Sequence, residues 1–202
     1  RLATEIRHLI DSKVSATQLD LRGAETSAVL ITSMLRRKSF LKSVSSASWL
    51  DALRRALDNA SRSIPFFFRN DDVGWEDARL FALLDLFNNH DIPIDLAVIP
   101  KAISQITAKR LCKFGTASIH QHGYAHLNHE PVGRKCEFGE SRSREQQLAD
   151  ITAGKQRLLD LFGPNTESIF TPPWNRCTAV TADCLREAGF TILSRDVTAT
   201  PF

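Results

Sequence analysis

From Ile64 onward, short apolar runs alternate with stretches whose apolar residues recur at helical spacing. Five runs read as strands: Ile64–Phe68, Ile92–Ile99, Thr116–Gln121, Glu167–Thr171 and Phe190–Ser194. Most are rich in Ile, Val and Phe, as strands covered on both faces should be. Four helices are predicted between them. Leu80, Leu83, Leu84 and Phe87 make an apolar stripe after Trp75, and Leu148, Ile151, Leu158 and Leu161/Phe162 make another over Arg144–Phe162, stopped by Gly163-Pro164. Residues 103–114 and 178–188 supply the other two, and Gly189 stands where a C-terminal glycine cap is expected. Alternation of this kind builds successive βα units around a parallel sheet, an α/β fold.

Two regions break the rhythm. Residues 126–143 carry Pro131, two glycines and several charges, and a loop longer than about 12 residues inside a compact domain is usually functional, so a lid or substrate-binding loop is expected there. Residues 1–61 read as a separate, largely helical extension, in which Ser48 is placed to cap a helix with Trp49, Leu53 and Leu57 on one face. The chain thus divides into 1–61 and a βα domain over 62–202.

With 202 residues, 43% of them apolar, the chain is long enough to bury a core without staples. The four cysteines, Cys112, Cys136, Cys177 and Cys184, show no CxxC spacing and read as free thiols in a reducing compartment. With no visible signal peptide, this points to the cytoplasm. The longest apolar stretch near the N-terminus, Ala28–Leu35, is far short of the roughly 20 residues a membrane span needs. The formal charge of +3 comes from the first segment: residues 1–62 hold 11 Lys/Arg against 6 Asp/Glu, and 63–202 hold 15 against 17. Arg36-Arg37-Lys38 lacks interleaved aromatics and reads as a solvated face, so no nucleic-acid partner is expected.

Polar clusters sit at or just after the predicted strand ends: Asn70-Asp71-Asp72, His120–His129 and Pro172-Pro173-Trp174-Asn175. A parallel barrel would gather them on its C-terminal face. A hydrolytic divalent metal needs a few fixed ligands and an open position, which Asp72, His122 and His126 would supply. Asp71 is then the candidate general base. Taken singly, the HxxxH spacing is common by chance, and Asp72 would suit an N-cap for the helix after Trp75. Their shared placement at strand ends favours the metal site.

Phe68-Arg69-Asn70-Asp71-Asp72-Val73, His122-Gly123-Tyr124-Ala125-His126 and Thr171-Pro172-Pro173-Trp174 resemble, in order and spacing, three motifs of the polysaccharide deacetylases of carbohydrate esterase family 4 (NodB homology), usually TFDDG, H[ST]xxH and RxP[FYW]. The wider stretches His120–His129, Glu137-Phe138-Gly139 and Pro172–Arg176 look like an uncharacterised bacterial branch of that superfamily. The resemblance covers roughly residues 62–202. It implies a distorted (β/α) barrel, usually of seven strands, that removes acetyl groups from N- or O-acetylated sugars or polysaccharide. Asp71 is implied as the base that activates a metal-associated water, with Asp72, His122 and His126 on one divalent ion. Zinc leads, and cobalt, nickel, manganese and iron are admissible for such a donor set. A backbone N–H near Tyr124 would stabilise the oxyanion. Tyr124, Pro173, Trp174 and Asn175 are implied as substrate-binding residues.

The chain departs from these motifs in several places. The arginine that opens the third motif and orients the base is Thr171 here, so Arg69 or Arg176 would have to take over. Gly123 and Val73 replace the usual Ser/Thr and Gly. The late histidine that serves the family as general acid is not found before Phe202; His120 and His129 are in principle stand-ins, but His120 reads first as a packed, hydrogen-bonded core histidine and His129 also reads as a loop residue, while His8 and His90 read as surface residues. Five recognisable strands in place of seven suggest an incomplete barrel, truncated at its C-terminal end. The alternatives are a degenerate deacetylase-fold module that binds carbohydrate or serves assembly, and a hydrolase of a non-sugar amide.

Overall fold

The computed structural model describes residues 55–62, 67–75, 77–196 and 199. The chain divides into two compact units, residues 1–67 and 68–202. In the first, residues 55–58 are helical. The helix start at Ser48, the run Arg36–Lys38, His8 and the rest of 1–54 lie outside the described residues.

In the second unit, β1 (Arg69–Val73), α1 (Asp77–Asn89), β2 (Ile94–Val98), α2 (Gln105–Leu111), β3 (Ala117–His122), α3 (Arg144–Phe162), β4 (Thr166–Thr171), α4 (Ala179–Glu187) and β5 (Ile192–Leu193) follow one another. The strands form one parallel sheet in the order β1-β2-β3-β4-β5. This is the succession of a (β/α) barrel left unclosed, with β1 and β5 as edges. Arg69 of β1 donates to Ser194 Oγ, just past β5, at 2.7 Å, so one side chain ties the two edges together.

Helices follow the sequence pattern closely. Ser143 accepts from Gln146 N and the Gln146 side chain accepts from Ser143 N, a capping box that starts α3 where the apolar stripe begins. Thr178 and Thr181 do the same for α4, and the Ser104 side chain accepts from Thr107 N at α2. The first strand is a correction. β1 is Arg69–Val73, and Phe67 and Phe68 of the expected run Ile64–Phe68 lie in no strand; residues 64–66 lie outside the described residues. An edge strand paired on one side and only half-buried does not need an apolar sequence, which is why RNDDV can pair with β2; just ahead of it Phe68 O accepts from Asp95 N at 2.8 Å. Phe68 instead packs edge-on against Phe87 of α1.

Two apolar clusters cover the sheet. Val73, Leu80, Leu84, Leu96, Val98 and Leu158 belong to the first, and Phe138, Ile151, Phe170, Cys184, Leu185 and Phe190 to the second. Phe138 comes from the long loop and is fully buried. Residues 136–139 of that loop are therefore packed core, which a freely moving lid would not have. Thr181 Oγ1 donates to Phe138 O, Cys136 N donates to Asn128 Oδ1, and Phe138 pairs with Cys177 as a parallel bridge. The rest of the loop is mostly exposed, with Leu127 and Val132 standing out in solvent.

Candidate functional site

In a regular strand Asp71 and Asp72 would point to opposite faces. The β1–β2 register slips between Asn70 and Val73, and Asp72 takes φ 62°, so a bulge with one extra residue breaks the alternation. Aspartate tolerates the left-handed conformation better than most residues. Both carboxylates then line one open groove of about 410 Å³ with Asn70 and Trp75, and Leu80 and Leu83 of α1 form its far wall.

On β3, His120 and His122 share a face by the period of two. His122 Nδ1 lies 3.0 Å from Thr171 O, and His120 Nε2 lies 3.0 Å from Thr171 Oγ1. Past His122 the chain turns sharply, with Gly123 at φ 56° and His126 at φ 56°. That turn brings His126 back beside His122. Asp72 Oδ1 is 3.1 Å from His122 Nε2 and 3.1 Å from His126 Nε2. The α1 helix starts only at Asp77, so the Asp72 carboxylate is turned to the imidazoles and not to a helix end.

The three donor atoms lie within 4.8 Å of one another. Two ligands held at bond lengths of ~2.0–2.1 Å to a common ion sit roughly 2.9–3.4 Å apart, and both Asp–His separations fall in that range. The hydrogen bonding agrees. If His122 Nδ1–H donates to Thr171 O, the Nε2 lone pair faces a carboxylate oxygen, an opposition that a shared cation relieves. The residues present therefore fit a divalent ion. The Asp72 carboxyl is held below its usual range, first by the His122 hydrogen bond, while burial lowers His126 against the pull of Asp72.

Arg69 supplies what Thr171 lacks. Its Nε donates to Asp71 Oδ1 at 2.7 Å and its second terminal nitrogen to Asp71 Oδ2 at 3.0 Å, a two-pronged fork on one carboxylate. Arg176 is elsewhere, donating to the Lys135 carbonyl. Asn175 Oδ1 is 3.5 Å from the same terminal nitrogen of Arg69, and Trp174 lays its ring against His126 with centroids 4.4 Å apart. Pro173 is buried beside Gly123, where an added Cβ would fall 2.6 Å from its ring.

Tyr124 departs from the sequence expectation, while His120 is the packed, hydrogen-bonded core histidine and His129 the loop residue that their other readings describe. Tyr124 N–H is 3.1 Å from Glu137 Oε2 and donates to it, so it is committed and does not face an oxyanion. His120 is buried and its pKa is pushed down to about 3, by burial first and then by the Arg69 charge. An imidazole held neutral is no general acid. His129 is exposed in the long loop, with its backbone bonded to Cys136 O.

The roles of two contributors were missed. Trp75 presses on the other side of His126, with centroids 4.7 Å apart, and is half-exposed; in the sequence it marked only the approach to α1. Glu137 is wholly buried, and its carboxylate accepts from Tyr124, Ala125 and Leu127 N–H groups. Burial pushes this carboxyl up and the backbone donors pull it back. An acidic residue inside a long loop carries no spacing signal that would reveal this.

Among solved structures the chain is similar to IcaB from Ammonifex degensii, with 18% identity and a TM-score of 0.56 over 68% of this chain and 62% of that one. It is also similar to the deacetylase PplD from Streptococcus pyogenes, solved in complex with acetate, with 15% identity and a TM-score of 0.50 over 83% of this chain and 70% of that one. At these identities the likeness concerns the fold. The chain spans 62% of the length of IcaB. No curated protein matches it. Among the described residues no helix is long and apolar enough to cross a membrane. The family model for polysaccharide deacetylase matches residues 70–193, more than half of the chain and all of the Asp–His–His cluster, and the chain belongs to the polysaccharide deacetylase family.

Proposed function

We propose that the chain is a metal-dependent carbohydrate deacetylase, acting on N- or O-acetylated sugars or polysaccharide. The observation that carries this reading is the convergence of Asp72, His122 and His126 on one point, 3.1 Å apart across each Asp–His pair. A divalent ion bound there, zinc foremost, would supply a Lewis acid for the acetyl carbonyl and lower the pKa of a nearby water.

The chain's own residues do the rest. Asp71 accepts the proton as water attacks the acetyl carbonyl and returns it to the sugar nitrogen or oxygen as the bond to the acetyl carbon breaks and acetate leaves, and the Arg69 fork keeps that carboxylate in one orientation. Ordering it in advance spares the reaction the cost of aligning it. Thr171 O holds the His122 ring by its far nitrogen. Trp75 and Trp174 clasp His126 from two sides, and the half-exposed Trp75 offers an aromatic face on which a sugar ring can lie.

The Arg69–Asp71 pair supports an enzyme over a degenerate binding module, because a base-orienting arginine is present although the position expected to carry it is Thr171. The test is acetate release from N-acetylated and O-acetylated oligosaccharides. Turnover should vanish with a chelator and return with zinc or cobalt. Metal-restored protein that releases no acetate from either class would reject the proposal.

A further inference from the structure

Glu137 has no lysine or arginine partner among the described residues, yet its side chain is fully buried. A carboxylate is costly to desolvate unless strong donors meet it. Here the donors are main-chain amides: Ala125 N at 2.7 Å, Tyr124 N at 3.1 Å and Leu127 N at 3.5 Å. They belong to the turn between the two histidines, which has no regular hydrogen-bonding scheme of its own and would otherwise bury unpaired N–H groups. Consecutive amides pointing inward make a small anion cradle, and Glu137 fills it from within the protein.

Gly123 completes the arrangement. A Cβ there would lie 2.1 Å from Glu137 Oε2 and 2.6 Å from the Pro173 ring, and φ is 56°. Side chains rarely adopt that conformation, and the carboxylate takes the space one would need. Glycine at 123 and glutamate at 137 are two halves of one packing solution. Glu137 is itself fixed from behind. Its neighbour Phe138 is buried and bonded through its carbonyl to Thr181, and Cys136 Sγ donates to Arg176 O at 3.4 Å. The strut therefore runs from α4 and the turn after β4 to the backbone of the histidine turn.

We propose that Glu137 is a positioning residue of the metal centre. Through the backbone of residues 124–127 it holds His126 in the left-handed conformation, φ 56°, that brings Nε2 to Asp72. This rests on the reading of Asp72, His122 and His126 as metal ligands. His122 has its own anchor in Thr171 O. Loss of Glu137 thus loosens one ligand of three, which weakens the site without abolishing it.

The experiment measures cobalt(II) affinity of the full chain by chelator competition, together with the visible absorption of the bound ion. Glu137→Gln keeps the volume but turns an NH2 group toward one of the amide donors. It should weaken cobalt by about 10–100-fold and change the cobalt spectrum. If Glu137→Gln does not fold, Glu137→Asp, one methylene short, is read in its place with the same expectation. Ile94→Val, at the start of β2 far from the strand mouths and outside the strut, trims a buried methyl group and should lower the melting temperature while leaving cobalt affinity and spectrum unchanged. Asp72→Ala tests the underlying reading and should lose cobalt. Wild-type affinity and spectrum in the Glu137 variant, with cobalt lost from Asp72→Ala, overturn the positioning role alone. Wild-type cobalt affinity in Asp72→Ala overturns the metal-site reading, and the positioning role with it.

Discussion

The long helix α3 and the mouths of β1, β3 and β4 follow opposite rules. In α3 the local start, stripe and stop signals agree with the fold: a capping box at Ser143 and Gln146, an apolar stripe through Ile151 and Leu158, and Gly163 at the end. At the strand mouths, Asp72, His126, Trp174 and Asn175 all hold positive φ, a conformation that costs most side chains energy. The helix side is stabilised by local preference, and the mouths hold only because neighbours impose their shape. Those neighbours are the Arg69 fork, Thr171, Glu137 and the Pro173 ring. Strain in this fold is gathered where chemistry is proposed, and polar anchors gather with it.

Substitutions at the mouth should therefore strike function, and substitutions on the helix side should strike stability alone. The largest effect is expected from Asp71→Asn, which keeps the shape and removes the base. Its kcat should fall by about 10²–10⁴-fold with cobalt affinity unchanged, and a steady-state assay beside a metal titration separates the two. Arg69→Lys keeps the charge but loses the fork, and kcat should drop by about tenfold or more with little change in KM. A larger change in KM than in kcat would move Arg69 from orienting the base to binding substrate.

His120 sharpens the comparison through pH. In the unfolded chain it takes up a proton near its ordinary value of 6.5, and in the folded chain only near about 3. Between those values the unfolded state binds the extra proton, so unfolding free energy falls as pH drops, by roughly 1.4 kcal/mol per pH unit from this group. Above the upper value the contribution is flat. Urea melts from pH 7 to 4.5 should show a shallower acid slope in His120→Asn, and parallel slopes would contradict the assignment. The smallest effect is on the helix side. Ser143→Ala removes the α3 cap and should cost about 1 kcal/mol by the same melts, leaving cobalt affinity untouched.

The same divide explains what could be read from the sequence. The bounds of α3 agree with the periodic stripe, and α4 agrees to within a residue, because amphipathic spacing and caps are local signals. Asp72, His122 and His126 stood out because the residue types suit a divalent ion and each lies near a strand end. Their convergence depends on the β1 bulge and the Gly123 turn, which no periodicity encodes. Apolarity did not reveal that β1 covers Arg69–Val73, because it is an edge strand set by pairing with β2 and its sequence is polar. Glu137 stood out only as part of the Glu137-Phe138-Gly139 resemblance and not by its role, because that role lies in three backbone N–H groups, and backbone donors leave no mark on the sequence. Trp75 was hidden by its place beside a helix start, where an aromatic residue draws no attention.

The central claim is that Asp72, His122 and His126 together hold one divalent ion, and its most direct test is the metal content of the purified chain by elemental analysis, with Asp72→Ala and His122→Ala alongside. About one equivalent of a divalent metal in the wild type, lost from both variants while their folds persist, is the predicted result. A folded wild type without metal after incubation with zinc, or variants that keep a full equivalent, would contradict it.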